Sequence, residues 1–174
     1  VTPDLDAGEV LGQIEVAIQP GETPDSLAAR VRLAEHQLYP HTLNRYVARH
    51  QDSDWLLHRM RALALALPEV EERDSHGAPG FRTGGKSGKF FAYFSDRHHG
   101  EPHVSALVKT SGVDEMTDLI ARDPERFYRP AYYGASGWVG IVLNRRDTDW
   151  SQVEHWLARS WRSVAPRRLT TLLD

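Results

Sequence analysis

Three groups of residues in this chain have the types and spacing that chemistry needs. The first, Gly80-Phe81-Arg82-Thr83-Gly84-Gly85-Lys86-Ser87, satisfies the spacing of a phosphate-binding loop, in which glycines let backbone N–H groups cradle phosphates and the lysine reaches them. Such a loop needs a buried strand before it and a helix after it, so that the helix N-terminus faces the anion. Here a Gly/Pro-rich stretch precedes the run and strand-like Lys89-Phe90-Phe91-Ala92-Tyr93-Phe94 follows, so a tight turn between antiparallel strands accounts for the glycines better.

The second group is His98, His99, Glu101 and His103, whose imidazoles and carboxylate are donors that zinc or nickel accept. Adjacent histidines seldom share one ion, and a surface hairpin has no outer shell to orient them, so no metal site is expected. The third is a ligand face of His76, Arg82, Lys86, Lys89, Tyr132 and Trp138, on which aromatic stacking and cationic side chains would hold single-stranded nucleic acid. The competing reading puts Trp138 and one tyrosine in the core and leaves the Lys and Arg residues as solvated turn positions. Arg167 and Arg168 read as a solvated tail.

Charge weighs against a nucleic-acid partner. The net charge is −3; positions 1–51 carry four basic and seven acidic groups, and positions 52–174 carry seventeen of each. Neither part has the positive excess that phosphate backbones select. The 174 residues contain no cysteine, which removes disulfides and thiolate chemistry and suits a reducing cytoplasm. No stretch is long and apolar enough to span a membrane, so no membrane partner is expected.

These side chains need elements to hold them. Ile14, Val16 and Ile18 alternate with polar neighbours, the period of a strand with one buried face. Thr23-Pro24 is a helix start, and Leu27, Val31, Ala34 and Leu38 form an apolar stripe that Pro40 should end, or restart as a shorter helix to about Arg49. One strand and one helix cannot close a core, so this arm must pack on the rest of the chain or on another copy, forming a homo-oligomer.

The polar run His50-Gln51-Asp52-Ser53-Asp54 marks a boundary. A helix through Leu56, Met60, Leu63, Ala64 and Leu67 stops at Pro68, and a Gly/Pro-rich loop covers 75–80. Strands are expected over 81–83, 89–95 and 103–109, a helix over 112–122, and strands over 127–133 and 138–144. A last helix carries Val153, Trp156, Leu157, Trp161 and Val164 on one face and ends at Pro166. The order α-βββ-α-ββ-α with short loops predicts an α+β two-layer sandwich with an antiparallel sheet, preceded by a β-α arm over 1–50.

Two resemblances sharpen this. Residues 1–47, through Leu5-Asp6-Ala7-Gly8, Gly21-Glu22-Thr23, Leu27-Ala28-Ala29-Arg30-Val31 and Glu35-His36-Gln37-Leu38-Tyr39-Pro40, resemble the C-terminal part of phosphoribosylglycinamide formyltransferase. The resemblance implies a catalytic carboxylate at Asp6 and a substrate ligand at Glu35, with 10-formyltetrahydrofolate as donor. The Asn-x-His pair and nucleotide crevice of that family have no counterpart here. Formyl transfer by this chain alone is therefore not expected, and otherwise no cofactor is.

Residues 55–169 resemble the MmcQ/YjbR family, through Ala66-Leu67-Pro68, Ser75-His76-Gly77-Ala78-Pro79-Gly80-Phe81-Arg82, Ala131-Tyr132-Tyr133-Gly134, Gly137-Trp138-Val139 and Ser160-Trp161-Arg162-Ser163-Val164. That resemblance implies a two-layer fold of frataxin-like shape and a non-catalytic binding or interaction module. Members are commonly labelled DNA-binding, which the balanced charge of this region does not favour.

Overall fold

The computed structural model describes residues 10–171, which fall into two compact units divided between Arg49 and His50. Asp6 lies outside the described residues.

The first unit is built on one helix, α1 (Pro24–Ala48). Thr23 and Ser26 cap it reciprocally, each side chain accepting from the other's backbone N–H, with Pro24 at the first helical position. The helix runs through Pro40 rather than ending there. Proline removes one hydrogen bond, but His36 and Pro40 are both exposed, so the freed carbonyl meets water. The expected strand at Ile14, Val16 and Ile18 does not form: residues 10–19 belong to no helix or strand, and Ile14 and Ile18 stay exposed. Alternation states which face a strand would bury, and it supplies no neighbour to pair with. Gly12 sits where a side chain would strike Leu38 and Thr42, so this segment runs back along the helix. Arg30 holds its end, donating to Ala17 O at 3.1 Å and to the Glu22 carboxylate at 2.8 Å. No residue of α1 is buried.

The second unit opens with α2 (Ser53–Leu65), whose N-cap Asp52 accepts from the N–H groups of Asp54 and Trp55. Six strands follow in one antiparallel sheet: β1 (Val70–Ser75), β2 (Ala78–Thr83), β3 (Phe90–Asp96), β4 (Val104–Lys109), β5 (Phe127–Tyr128) and β6 (Trp138–Val142), in spatial order β1-β2-β3-β4-β6-β5. α3 (Val113–Arg122) connects β4 to β5, and α4 (Trp150–Val164), capped by Asp149, closes the layer. A short helix, α5 (Arg167–Thr170), comes last.

The helices bury one face of the sheet. Phe81, Ala92, Phe94, Ala106, Val108, Val139 and Ile141 point into a core completed by Leu56 and Met60 of α2, Met116 of α3, and Val153, Leu157 and Trp161 of α4. Burying each large side chain contributes about 1.5–3 kcal/mol, so this layer dominates stability. Arg159 of α4 grips the Glu115 carboxylate of α3 through two hydrogen bonds, and Ser111 N donates to the same group at 2.7 Å. These contacts, the Arg159 hydrogen bond first, hold the Glu115 carboxyl at about 2. A depressed pKa adds stability that is complete above the unfolded value and is lost as pH falls through the folded one. Thermal unfolding should therefore show the melting temperature dropping between about pH 4.5 and pH 2, and Glu115→Gln should flatten that part of the profile.

Several elements differ from expectation. β1 is a strand beyond the five expected: Val70-Glu71-Glu72-Arg73-Asp74-Ser75 has no hydrophobic period, and it forms an edge strand, where charge is tolerated. The expected loop over 75–80 shrinks to His76-Gly77, both left-handed (φ 55° and 79°), the turn that suits a two-residue hairpin. The strand expected over 127–133 ends at Tyr128, before Pro130. Arg167 and Arg168 are exposed as expected, but the segment is anchored: Leu169 is buried, and Arg168 makes two hydrogen bonds of 2.6 Å to Glu69.

Candidate functional site

The face of the sheet away from the helices carries the unusual residues. Strand alternation sends Tyr93, Leu107, Lys109 and Trp138 to this face, while their neighbours Ala92, Val108 and Val139 enter the core. Glycines leave room for rings to lie across it. A side chain at Gly80 would strike Phe90 and Tyr93, and one at Gly140 would strike the Tyr128 ring. Phe90, Tyr93, Tyr133 and Trp138 make a continuous cluster with ring centroids 5.1–5.7 Å apart.

At one corner this face opens into a cleft. Its walls are Ser75 and His76 of the first hairpin, Tyr93 and Ser95 of β3, His98, His99 and Glu101 of the β3–β4 turn, and Pro130, Ala131 and Tyr133. Leu107 lies on the floor, and the cavity is about 50 Å³. Glu101 accepts from Ala131 N at 3.0 Å, which ties the β3–β4 turn to the 129–137 segment. Behind the wall the hydroxyls of Ser105 and Tyr128 lie 2.7 Å apart, and His103 packs on the Tyr128 ring. Burial pushes the Tyr128 phenol far above its ordinary value. Burial also raises Tyr93, with the Tyr133 charge adding to the rise and the Ser75 hydroxyl opposing it. Both phenols thus stay protonated near neutral pH and serve as hydrogen-bonding groups rather than bases.

Backbone strain gathers at the same corner. His76, Arg97, His99 and Tyr132 have φ of 52–64°, and Glu69 is the one other described non-glycine residue with positive φ. The left-handed region costs an L-residue roughly 1–2 kcal/mol, which surrounding contacts must offset. Tyr132 is 81% exposed, and its ring touches His99 edge-on at 4.7 Å between centroids.

The six residues of the expected ligand face are not brought together. His76 lines the cleft and Tyr132 stands at its rim on His99. Arg82, Lys86 and Lys89 lie at the other end of β2, roughly 17 Å away at strand rise. Lys86 and Lys89 are exposed there. Arg82 is engaged: Nη2 donates to Gly85 O at 2.9 Å and Nε lies 3.3 Å from Glu71. Trp138 is 7% exposed, its ring enclosed by Tyr93, Tyr133 and the Lys109 ammonium. Glu35 belongs to the first unit, where it borders a groove of about 750 Å³ formed with Val10, Leu11, Leu38 and Tyr39.

The run that fits a phosphate-loop spacing is β2, a turn, and then a strand, so no helix N-terminus faces it. Among the described residues no group of three His, Asp or Glu side chains is placed to hold a metal ion. Among them, too, no helix is long and apolar enough to cross a membrane. Sequence reasoning missed Ser75, Tyr93, Ser95 and Tyr133 as cleft residues. The alternation of Tyr93 and Ser95 with Ala92 and Phe94 already separated the two faces; what folds over the outer one was not visible.

A six-stranded antiparallel sheet with helices on one face and an aromatic, hydroxyl-lined cleft on the other defines a two-layer α+β domain. The YjbR family profile matches residues 65–163, more than half of the chain, and the chain belongs to the YjbR family. A crystal structure of the Deinococcus radiodurans protein DR2400, a DUF419 domain, superposes with a TM-score of 0.52 at 16% identity, covering 66% of this chain and 84% of that one. The likeness shows a shared fold. A separate match is to the trifunctional purine biosynthetic protein adenosine-3 of Bos taurus, 42% identical over 43 residues. That match covers 25% of this chain and 4% of the bovine protein.

Proposed function

We propose that this protein is a non-catalytic binding module of the YjbR type, which engages its ligand on the helix-free face of the sheet at the His76–Tyr132 corner. The observation that carries this is the gathering of exposed His76, His99 and Tyr132 around one cleft, with His99 and Tyr132 in a left-handed backbone that no two-residue hairpin requires. Catalysis lacks parts here. Ser75 Oγ and His76 Nδ1 are 3.2 Å apart, but no described carboxylate orients that ring, and neighbouring phenols are held protonated. The exposed Leu33, Tyr39, Leu43 and Val47 of α1 support a homo-oligomer formed through the first unit. A cytoplasmic location belongs to this reading, and the absence of cysteine suits it.

The finer form of the reading makes single-stranded nucleic acid the ligand. Exposed Lys86 and Lys89 with Tyr132 support it, and the seventeen-to-seventeen charge balance of 52–174 opposes it. Titrating a fluorescent oligonucleotide at low and moderate salt decides. Saturable binding that falls steeply with salt and weakens about threefold in Lys89→Ala would establish it, and no binding at low salt would eliminate it.

A second reading rests on the 43-residue match. It makes residues 1–47 the C-terminal piece of a phosphoribosylglycinamide formyltransferase fusion acting in purine biosynthesis, with Asp6 catalytic, Glu35 on substrate and 10-formyltetrahydrofolate as donor. Intact-mass measurement of the protein from its source cells tests this directly. A chain longer by a formyltransferase front half supports the fusion, and a chain that starts at Val1 removes it.

A further inference from the structure

The cleft's geometry and chemistry narrow what it can take. Charge excludes an anion as the first choice: no Lys or Arg lines it, and Arg97 beside it is spent on Asp96 and Ser53. Glu101, the one carboxylate in the wall, is occupied by Ala131 N. A cavity of about 50 Å³ has room for the edge of one ring. What the corner does offer is ring surface. Tyr132 is 81% exposed, the His99 ring meets it at a steep angle, and His76 stands exposed on the first hairpin. Beneath them lie apolar Leu107 and Pro130, with the hydroxyls of Ser75 and Tyr93 as hydrogen-bonding groups.

We propose that this corner binds a neutral, planar heteroaromatic ring of the nucleobase type, carried on a small molecule such as a nucleoside. The ring stacks on Tyr132, and its polar edge turns to the Ser75 and Tyr93 hydroxyls. This rests on the module reading above and adds the ligand class to it. Stacking of one ring on an exposed aromatic is a weak contact, so saturation is expected only at millimolar concentrations or above.

The test is a two-dimensional NMR titration of the full chain with adenosine and cytidine, with ribose as the ring-free control. Saturable shifts at His76, His99 and Tyr132 are expected with the nucleosides and not with ribose. Tyr132→Ala should weaken binding about fivefold or more, and Tyr132→Phe should retain it. The variant is safe to use, since an 81% exposed ring contributes little to folding. Equal shifts with ribose, or nucleoside binding unchanged in Tyr132→Ala, overturn the proposal. Shifts confined to Lys86 and Lys89 with an oligonucleotide, the cleft staying silent to nucleosides, overturn it and move the binding surface away from the His76–Tyr132 corner, leaving a binding module of the YjbR type. Silence at both ends with all ligands overturns the proposal and eliminates nucleic acid as the module's ligand.

Discussion

Replacing Ser160 by alanine is expected to lower the unfolding free energy by about 2–4 kcal/mol, read from urea denaturation at neutral pH. Ser160 is fully buried in α4, under the middle of the sheet. Its hydroxyl donates to the Phe91 carbonyl of β3 and accepts from the Lys109 N–H of β4 at 2.9 Å. One side chain thus satisfies two backbone groups on neighbouring strands. Alanine leaves both without a partner, and each buried unsatisfied group costs about 1–3 kcal/mol. The same change at Ser163, exposed one turn further along and bonded back to Ser160 O, should cost under about 1 kcal/mol. A loss at Ser160 no larger than at Ser163 would mean that water or a strand shift replaces the hydroxyl.

A methyl group at Gly140 should do comparable damage from the opposite face. Gly140→Ala would place its carbon inside the contact distance of the Tyr128 ring, which lies flat over β6. The ring cannot swing away freely, because its hydroxyl is held by Ser105 and His103 packs against it. Overpacking of this kind costs about 1–3 kcal/mol. It also carries a spectroscopic signature. A ring pushed outward regains water, so the Tyr128 phenol, raised by burial in the native protein, should titrate closer to its ordinary value. Adding Tyr128→Ala should recover part of the stability lost by Gly140→Ala, because the clash then has no second member. Full additivity of the two changes would count against the contact.

How much of this was legible in the sequence depended on whether the signal was local. Thr23, Asp52 and Asp149 cap helices where their types announce them, and the periodic apolar stripe of α4 enters the core as its spacing required. β1 was hidden because its residues satisfy an edge position rather than a hydrophobic period. Ile14, Val16 and Ile18 misled for the converse reason, having the period without a strand to pair with.

At the site, residue type alone joins His76, Tyr132 and Trp138 to Arg82, Lys86 and Lys89 as stacking and cationic groups, and type carries no information about position. β2 carries those cations to the far end of the sheet. The left-handed backbone at Arg97, His99 and Tyr132 has no sequence marker, since glycine is the residue that advertises it and none of these is glycine.

The charged first strand has a consequence for crowded conditions. Glu71, Glu72, Arg73 and Asp74 form the outer margin of the sheet, with Glu72 clasped by Arg61 of α2 at 2.5 and 2.7 Å and Glu71 shared between Arg73 and Arg82. The opposite margin, β5, is two residues long. A ladder with one margin electrically guarded and the other cut short offers no template for a neighbour's backbone. Growth by sheet extension, the first step toward fibrils, is blocked at both ends by the same residues that finish the fold.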